Sequence, residues 1–476
     1  MKNYLFSLFL FLVFTLPSLS QPLSYDEQLG ENGAKQVELV MGIYEDEILT
    51  PYVEEIGERL IDHLDNRLFD YQFKIVDEPI PNAFALPGGY IYVTRGLLAL
   101  VENVDELGCV LSHEVIHVEQ RHSVKQMKRS ILPALLQVPG MIVGAVAGAN
   151  VGNIINTPFA VGSSFFTAKY SRKHETEADH LGVALAAKAG FDPKALSKIL
   201  DRIVVWEEVR SEQEEKRSYF SNHPYTPDRI SNLTKSTHNL TWSSNEMQER
   251  PILDRLNGLS FSDNPDKGIF VDSVFLHPDI DFSVTFPSSW TYVNTYNAVG
   301  AVSKDQNAFV ILTLEDTAQS PQKYGSDYMK LLKDKQAQAS VKGEKVEVNG
   351  HDAFLVLVTE QGDEGSIYTG FVWIKMGENL YKISTVTSGD AKSMIKKAAL
   401  SLHPLTTQEK ELIFRESITI VAAREGESIE KLAIRSDNQL KGKLLKVLNG
   451  KAPDSILSQG EKIKVVTREP YFAVPK

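Results

Sequence analysis

Hydrophobic positions repeat with two different periods along the chain, and the change of period divides it into parts. Up to residue 256 the apolar residues mostly recur every three to four positions, which is typical of amphipathic helices. Residues 257–268 are rich in Gly, Asn, Asp, Ser and Pro, and after them short apolar runs alternate with turn-forming residues. The pattern predicts a mainly α-helical first domain at 21–256, a linker at 257–268 and strand-rich segments beyond it.

The strand-rich part divides into an α+β domain and a small terminal module. Predicted strands lie at residues 270–275, 282–286, 308–314, 353–358, 367–374 and 380–385, and predicted helices at 324–337 and 391–402. This mixture predicts an antiparallel sheet in an α+β domain at 269–405, with no catalytic constellation and an unknown role. Residues 415–468 begin and end with a strand and have two helical segments between, which predicts a βααβ module.

The N-terminus has the form of an export signal. Lys2 is followed by an apolar run at residues 4–16 and then by Pro17, Ser18, Leu19 and Ser20, a small-residue cleavage pattern. The run is shorter than a membrane span normally requires, which favours a cleaved signal peptide at 1–20 over an uncleaved anchor.

Composition narrows the class of protein. Apolar residues make up 42% and charged residues 24% of the chain, as in globular soluble proteins. The net charge of −12 argues against a nucleic-acid partner. Cys109 is the only cysteine, so it makes no internal disulfide, and we expect it to be a small buried core residue.

The chemistry of the first domain centres on His113, Glu114 and His117, which form a His-Glu-x-x-His motif. On a helix, positions four apart share a face, so both imidazoles can bind one Zn²⁺. Glu114 lies beside the first ligand, where it can take a proton from a metal-bound water. The motif therefore predicts a zinc-dependent peptide hydrolase with one Zn²⁺ per chain.

The context of the motif supports a buried amphipathic helix. We expect Asp105 to be its N-cap, with Glu106 in the first turn. Apolar residues then recur at helical spacing at Leu107, Val110, Leu111, Val115 and Val118. The alternative is an ordinary amphipathic helix with two exposed histidines.

A zinc hydrolase of this type needs a third protein ligand. Glu175 and Asp179 lie four apart downstream, and spacing favours Glu175 as the ligand, with His174 and Glu177 as alternatives. If Glu175 binds zinc, Asp179 is placed to hold a ligand imidazole through its other ring nitrogen. Glu177 is expected to belong to a solvated face.

Three separated motifs within residues 25–240 carry a family resemblance: residues 82–97, the His113–His117 motif and the Glu175–Asp179 pair. In this order they resemble the gluzincin metallopeptidases related to CAAX prenyl proteases and HtpX, and most of all their soluble periplasmic BepA-like branch. The resemblance implies a zincin-like protease fold, Glu175 as third ligand, Asp179 as its helper, a zinc cofactor and endopeptidase activity in the periplasm. No tetratricopeptide-length repeat is visible, which departs from that branch.

Two further segments are candidates for the site. Residues 83–86 and 90–93 read as a hairpin with its turn at Pro87–Gly89, and its edge, Asn82, Ala83, Phe84 and Ala85, can pair with an extended substrate. A plain structural hairpin is the alternative. His223 and Arg229 match a His-Pro and Arg pair of the family; either can stabilise an oxyanion, or His223 can occupy the open zinc position.

Outside the protease motifs, two segments suggest contacts. Residues 131–168 are apolar and interrupted by Pro, Gly and Asn. They predict an amphipathic hairpin or loop beside the active site, which touches the membrane surface or an outer-membrane partner or plugs the cleft, or alternatively a buried helical hairpin. Residues 425–433, 448–449 and 457–463 resemble a LysM module. Such modules commonly bind N-acetylglucosamine polymers, here peptidoglycan, and a protein-docking role is the alternative.

Together these features predict an exported zinc metalloendopeptidase that cleaves unfolded or misassembled envelope polypeptides. Glu114 is the predicted general base, with His223 and Arg229 as further catalytic residues. A second hypothesis is a peptidoglycan-associated, chaperone-like protein with a latent metal site. A zinc peptidoglycan hydrolase is a third, less favoured because such enzymes generally use other zinc motifs.

Overall fold

The structure is a computed structural model that describes residues 23–125, 169–210 and 219–472, apart from 306, 317–318, 336–338, 363–364 and 453. The predicted signal peptide at 1–20 and the apolar segment at 131–168 lie outside the described residues. Among the helices that the structure describes, none combines the length and the apolar character that crossing a membrane requires.

The first part of the chain is mainly helical with a small sheet. Its helices are α1 (Leu23–Met41), α2 (Leu49–Ile61), α3 (Arg95–Leu100), α4 (Val104–Glu119), α5 (Arg172–Lys188), α6 (Ala195–Arg210), α7 (Tyr219–Asn222) and α8 (Pro227–Thr237). Its strands are β1 (Gln72–Val76), β2 (Ala83–Ala85) and β3 (Tyr90–Thr94), in the order β1-β3-β2. The predicted hairpin is confirmed as the antiparallel pair β2–β3, and β1, which pairs parallel to β3, was not predicted.

Helix α4 carries the His-Glu-x-x-His motif, but its expected N-cap was wrong. Asn103 is the N-cap, and its side chain accepts a hydrogen bond from the Glu106 backbone N–H at 3.0 Å. The Glu106 carboxylate in turn accepts from the Glu102 backbone N–H at 2.8 Å. Asp105 is already helical and its side chain accepts from Gln248 Nε2 at 2.7 Å instead. A short polar residue two positions earlier therefore captures the free helix N–H.

The second part is an α+β domain around a seven-stranded antiparallel sheet, with strand order β10-β11-β12-β13-β9-β8-β7 among the described residues. The strands of this part are β4 (Ile269–Val271), β5 (Val274–His277), β6 (Phe282–Thr285), β7 (Thr291–Thr295), β8 (Ala298–Val302), β9 (Phe309–Glu315), β10 (Ser340–Val348), β11 (His351–Gly362), β12 (Gly365–Met376) and β13 (Asn379–Thr387). Helix α9 (Pro321–Lys335) contributes Leu332 to the apolar cluster on one face of the sheet, and α10 (Ala391–Ser401) contributes Ile395 to the other.

The predicted α+β class of this domain agrees with the structure, with local differences. The run at 270–275 is not one strand but the hairpin β4–β5, because Asp272 adopts a left-handed backbone (φ 53°) between them. Strands β7, β8 and β10 were not predicted. Strand β10 lies at the edge of the sheet and is mostly exposed, so its charged residues hide the alternation that marks a half-buried strand.

The C-terminal part has the predicted order of strand, two helices and strand. After the short helix α11 (Thr407–Lys410) come β14 (Phe414–Ala422), β15 (Glu427–Ser428), α12 (Ile429–Arg435), α13 (Gly442–Leu448), β16 (Ile456–Leu457) and β17 (Lys462–Pro470). Strands β14 and β17 pair antiparallel. The buried residues of this module belong to the same apolar core as those of the first part; Ile418, Leu432 and Leu445 join the cluster that contains Leu107 and Leu196. The module is therefore packed onto the metal-helix part of the chain.

The segment predicted as a linker also packs against its neighbours. Leu259 is buried in the core, and Ser260 forms an isolated β-bridge with Ser417. The buried guanidinium of Arg95 donates to the carbonyl oxygens of Ser260 and Ser262. Residues 257–268 therefore hold the first part and the terminal module together.

A buried lysine of β17 reaches the start of the metal helix. The Lys464 ammonium is fully buried and donates to the carbonyl oxygens of Ala99 and Val101, each at 2.8 Å. It also lies 2.7 Å from Glu102 Oε1. These carbonyls belong to the C-terminal end of α3, where the helix leaves acceptors without intrahelical donors. Lys464 therefore closes the junction between α3 and α4 from the terminal module.

We expect Lys464→Met to destabilise the protein by about 3 kcal/mol, because it leaves Glu102 and two carbonyls without their buried cation. The unfolding midpoint in denaturant, followed by circular dichroism, measures the loss. Lys462→Met, on the same strand, removes only an exposed pair with Asp254 and is the matched control. Equal midpoints for the two variants would contradict the docking role of Lys464.

Candidate metal centre

The metal centre is built where α4 and α5 cross closely. Gly182 of α5 lies against the His113 backbone, and a Cβ at Gly182 would come within 3.1 Å of the His113 Cα. A side chain at this position would push the two helices apart by a few tenths of an ångström, so glycine permits the closest approach. Glu175 and Asp179 precede Gly182 at helical spacing, so the contact points both carboxylates toward the histidines of α4.

Four side chains from three segments converge at one point. The ligating atoms of His113, His117, Glu175 and His223 all lie within 4.8 Å of one another, and all four residues are buried. His113 Nε2 lies 3.0 Å from His117 Nε2 and 3.3 Å from His223 Nδ1. Glu175 Oε1 lies 3.4 Å from His117 Nε2 and 3.2 Å from His223 Nδ1. The structure brings together both predicted histidine ligands, the favoured third ligand and His223.

Behind the cluster, a buried ion network holds the ligands in place. Asp179 Oδ1 lies 3.1 Å from His113 Nδ1, the ring nitrogen that faces away from the other ligands. Arg229 donates to both Asp179 oxygens, at 2.8 and 2.9 Å, and its Nη1 lies 2.9 Å from Glu175 Oε2. The guanidinium also donates to the His223 carbonyl at 3.4 Å. Arg229 therefore binds the third ligand, the helper carboxylate and the His223 backbone at once.

The charges of this network set the ionisation of its members. Burial by itself raises the pKa of the Glu175 carboxyl, but His223 and Arg229 more than offset it and hold the pKa well below the usual range. The pKa of Asp179 is lowered against burial by Arg229 and His113. Burial lowers the pKa of His117 well below its ordinary value. An ionised Glu175 and a neutral His117 are the forms that bind a metal ion, and an ionised Asp179 is the form that accepts from the His113 ring.

Glu114 faces the same space from α4 but is not one of the clustered donors. Its carboxylate is fully buried, and within the described part of the chain neither oxygen has a hydrogen-bond partner. His223 Nε2 lies 3.5 Å from Glu114 Oε1. Burial raises the pKa of Glu114, although His223 and His113 act in the opposite direction. A buried carboxylate without a donor requires a water or an ion nearby.

The donor set fits Zn²⁺. Three imidazole nitrogens and one carboxylate oxygen are ligands that zinc prefers, and four is its usual coordination number. His113 Nε2 faces His117 Nε2 across 3.0 Å and His223 Nδ1 across 3.3 Å. Such a convergence of acceptors is unfavourable without a cation between them. With His223 as a fourth donor, the set is complete without water.

The predicted substrate edge adjoins this centre through Tyr170. The Tyr170 ring stacks on His117 with centroids 3.8 Å apart, and its hydroxyl donates to the Ala85 carbonyl at 3.4 Å. Strand β2 is the outer strand of its sheet among the described residues. Residues Asn82, Ala83, Phe84 and Ala85 are all buried.

The register of β2 fixes which backbone groups face outward. The Asn82 carbonyl accepts from the Thr94 backbone N–H at 2.9 Å, and the Leu86 N–H donates to the Tyr90 carbonyl at 2.8 Å. In an antiparallel pair the bonded and non-bonded positions alternate, so the peptide groups of Ala83 and Ala85 point away from β3. The Ala85 carbonyl, which accepts from Tyr170, agrees with this direction.

Several residues near the centre escaped the sequence analysis. His122 lies with its Nδ1 3.2 Å from His117 Nδ1, and Tyr219 stacks on His223 at 4.5 Å. Glu177, expected on a solvated face, has its Oε2 3.4 Å from His122 Nε2, so that expectation was wrong in part. Tyr219 lies four positions before His223, and this helical spacing is the sequence signal that could have predicted their contact. Cys109 is buried in the core, as expected, and donates to the Asp192 carbonyl.

The sequence was compared with known families and proteins. Residues 47–237 match the sequence model of Peptidase family M48. Over 180 residues, 37% of its length, this chain is 28% identical to the beta-barrel assembly-enhancing protease of Escherichia coli K12. Over 178 residues, 36% of its length, it is 30% identical to the mitochondrial metalloendopeptidase OMA1 of Saccharomyces cerevisiae. Residues 47–237 are therefore similar to M48 metalloendopeptidases.

The comparisons have a limited extent. The match covers 37% of the Escherichia coli protein, 49% of the yeast protein and 39% of the Yersinia pestis beta-barrel assembly-enhancing protease, which is 28% identical over 39% of this chain. The chain therefore spans less than half the length of these relatives. A Pseudomonas aeruginosa protein of unknown function aligns with 26% of this chain and 92% of its own at 17% identity, but the TM-score of 0.18 supports no argument.

We expect Asp179→Asn to weaken zinc binding by this chain on the order of 10- to 100-fold, because the carboxylate behind His113 orients that ligand. Competition with a chromogenic chelator measures the affinity. His180→Asn, the exposed neighbour on the same helix, is the control. Unchanged affinity in Asp179→Asn would remove Asp179 from the metal centre.

Proposed function

We propose that this chain is a periplasmic zinc endopeptidase that cleaves unfolded or misassembled envelope polypeptides. The observation that carries the proposal is the buried cluster of His113, His117, Glu175 and His223 with Glu114 beside it. The M48 match at residues 47–237 and the name of the beta-barrel assembly-enhancing proteases support the same class of reaction and client. The predicted export signal supports the compartment.

In this proposal His113, His117 and Glu175 hold the zinc, and Arg229 and Asp179 hold His113 and Glu175. When bound, zinc polarises the substrate carbonyl and lowers the pKa of water. Glu114 is the general base, since its buried oxygens have no hydrogen-bond partner within the described part of the chain and Oε1 lies 3.5 Å from His223 Nε2. Burial raises its pKa, which makes it a better proton acceptor and then a donor to the leaving amine. Arg229 is proposed as a positioning residue, because its donors are engaged by Asp179, Glu175 and His223.

His223 is proposed as the fourth, displaceable ligand of a resting enzyme. Its Nδ1 faces His113 and Glu175, and its Nε2 faces Glu114, so the ring lies between the ligands and the proposed base. Negative charge from Glu175 and Glu114 raises the pKa of His223 against the effect of burial. Peptide hydrolysis requires this space, so His223 must move before a substrate enters. This arrangement also gives the latent-site hypothesis its support.

The proposed substrate is an extended backbone rather than a particular side chain. The peptide groups of Ala83 and Ala85 point away from β3 beside Tyr170, which stacks on His117. A peptide added to this edge would run past the metal through backbone hydrogen bonds, which tolerate different side chains. Such tolerance fits clients recognised by being unfolded.

Contacts with the cell envelope remain part of the proposal. Binding of the membrane surface by residues 131–168 and of peptidoglycan by the LysM-like module are proposed from sequence alone. Residues 423–461 of the module contain no aromatic side chain on which a sugar ring could stack, and its core is shared with the protease part. These observations favour the docking role of the module over glycan binding.

We expect Glu114→Gln to abolish cleavage of unfolded casein while zinc is retained, because the general base is lost and the ligands are not. Zinc content by mass spectrometry and casein fragments on gels are measured together. Glu119→Gln, on the same helix and bonded to Tyr71, is the matched control and keeps activity. Casein cleavage by Glu114→Gln at the wild-type rate would refute the proposed reaction, and an absence of zinc in both proteins would refute the metal centre.

We expect His223→Ala to raise the casein cleavage rate several-fold and to weaken zinc binding, because one ligand is removed and the cleft opens. Steady-state rates and chelator competition measure the two effects. Tyr225→Ala, an exposed position in the same loop, is the control. A lower rate with full zinc affinity would make His223 a catalytic residue instead. No change in either would end its role in the site.

A further inference from the structure

The three residues that follow the metal helix form a turn that connects separate parts of the site. Gln120 ends α4, and Arg121 adopts a left-handed backbone with φ 52°. A non-glycine residue pays a steric penalty in this conformation, on the order of 1 kcal/mol, unless its surroundings compensate. A second helical segment begins at His122, so His122 and Ser123 lie just beyond a break in the helix.

The compensation comes from the N-terminal helix. Arg121 donates to both oxygens of Asp26 in α1, from Nε at 2.7 Å and from Nη2 at 2.6 Å. Asp26 is buried, whereas Arg121 is partly exposed. A bidentate pair of this kind fixes the direction of the guanidinium as well as its position. Helix α1 therefore holds the 121–123 turn in its strained conformation.

The next residue in the turn contacts a metal ligand. His122 is fully buried, and its Nδ1 lies 3.2 Å from His117 Nδ1. His117 presents Nε2 to the metal cluster, so its Nδ1 carries the proton and donates to His122. The other nitrogen of His122 then donates to Glu177, with Nε2 and Oε2 3.4 Å apart. His174 stacks on the His122 ring at 4.3 Å, which fixes the plane of the ring.

The third residue of the turn reaches the proposed substrate edge. Ser123 Oγ donates to the Ala85 carbonyl at 3.2 Å and lies 2.8 Å from the Tyr170 hydroxyl. Tyr170 also stacks on the ring of His117, the ligand that His122 contacts. One short turn thus contacts the ligand, the aromatic ring that packs on it and the outer strand.

We infer that His122 is a positioning residue that orients His117 for zinc, and that Asp26 of the N-terminal helix holds it there through Arg121. The inference rests on the proposed zinc centre and deepens it. His122 has the same role for His117 that Asp179 has for His113. Each ligand imidazole has a partner on the ring nitrogen that faces away from the metal cluster. The partner of His117 is a neutral ring, itself anchored by a carboxylate.

The test compares His122→Asn with His122→Gln. Both remove the ring that stacks on His174, but the asparagine amide occupies the place of Nδ1 and the glutamine amide the place of Nε2. The Asn variant can still accept from His117, whereas the Gln variant can reach only toward Glu177. We expect zinc affinity to fall on the order of tenfold in the Gln variant, with lower kcat and unchanged KM, and to stay near wild type in the Asn variant.

Zinc affinity by chelator competition, the visible spectrum of the Co²⁺ form and Tm are measured on both variants and on the wild type. Equal affinities and spectra in the two variants would overturn the inference while leaving the zinc endopeptidase standing. A wild-type protein that binds no zinc would overturn both the inference and the proposed zinc endopeptidase. The wild-type measurement alone therefore distinguishes this outcome. A difference in Tm alone does not count as support, because a purely structural role would produce it.

The role of the N-terminal helix is tested by Asp26→Asn beside Glu27→Gln, an exposed position on the same helix. Loss of the charged pair should shift zinc affinity in the direction of the His122→Gln variant, and Glu27→Gln should not. Unchanged affinity in Asp26→Asn would remove α1 from the inference.

Discussion

Arg229 lies in the interior against two carboxylates, and the metal centre depends on this contact. A buried carboxylate is stable as an ion only with a partner, and Glu175 and Asp179 share one guanidinium. Without it, burial would favour protonated acids, which neither bind a metal ion nor orient an imidazole. Because Arg229 comes from α8 and the carboxylates from α5, the charge pairing also fixes how these helices pack. The bond from Arg229 to the His223 carbonyl extends the same constraint to the fourth donor.

The two histidines of α4, His113 and His117, are held by different kinds of side chain. His113 is held by an ionised carboxylate, Asp179, inside the network of Arg229. His117 is held by His122, whose position depends on the turn after α4 and on the first helix of the described chain. The centre thus joins α1, α4, α5 and α8, and these elements come from segments far apart in sequence. Misplacing any of them would move a ligand, because interior packing leaves little room for adjustment.

The sequence predicted the residues that have a local signature. His113, Glu114 and His117 share a helical spacing, Glu175 and Asp179 repeat it, and turn residues marked the β2–β3 hairpin. It could not predict contacts that depend on how distant segments meet. Nothing near His122 in sequence shows that it faces His117. Likewise, Lys464 contacts the Val101 carbonyl at the end of α3, which lies 363 positions earlier in the chain. The N-cap went to Asn103 rather than Asp105 because the helix began two residues earlier than the charge pattern suggested.

The terminal module shares its core with the first part of the chain. Its sequence pattern predicts a separate unit, but in the structure its apolar residues belong to the core around the metal helix. Lys464 and the 257–268 segment add polar contacts to the same junction. The protease part and the module are therefore expected to be stable together.

The most direct test of the metal centre is a crystal structure of the purified protein with anomalous data collected on both sides of the zinc edge. We predict one zinc peak per chain, at about 2.0–2.2 Å from His113 Nε2, His117 Nε2, a Glu175 oxygen and His223 Nδ1. A zinc peak elsewhere, or none after zinc is supplied in solution, would contradict the central claim that these four side chains form a zinc site.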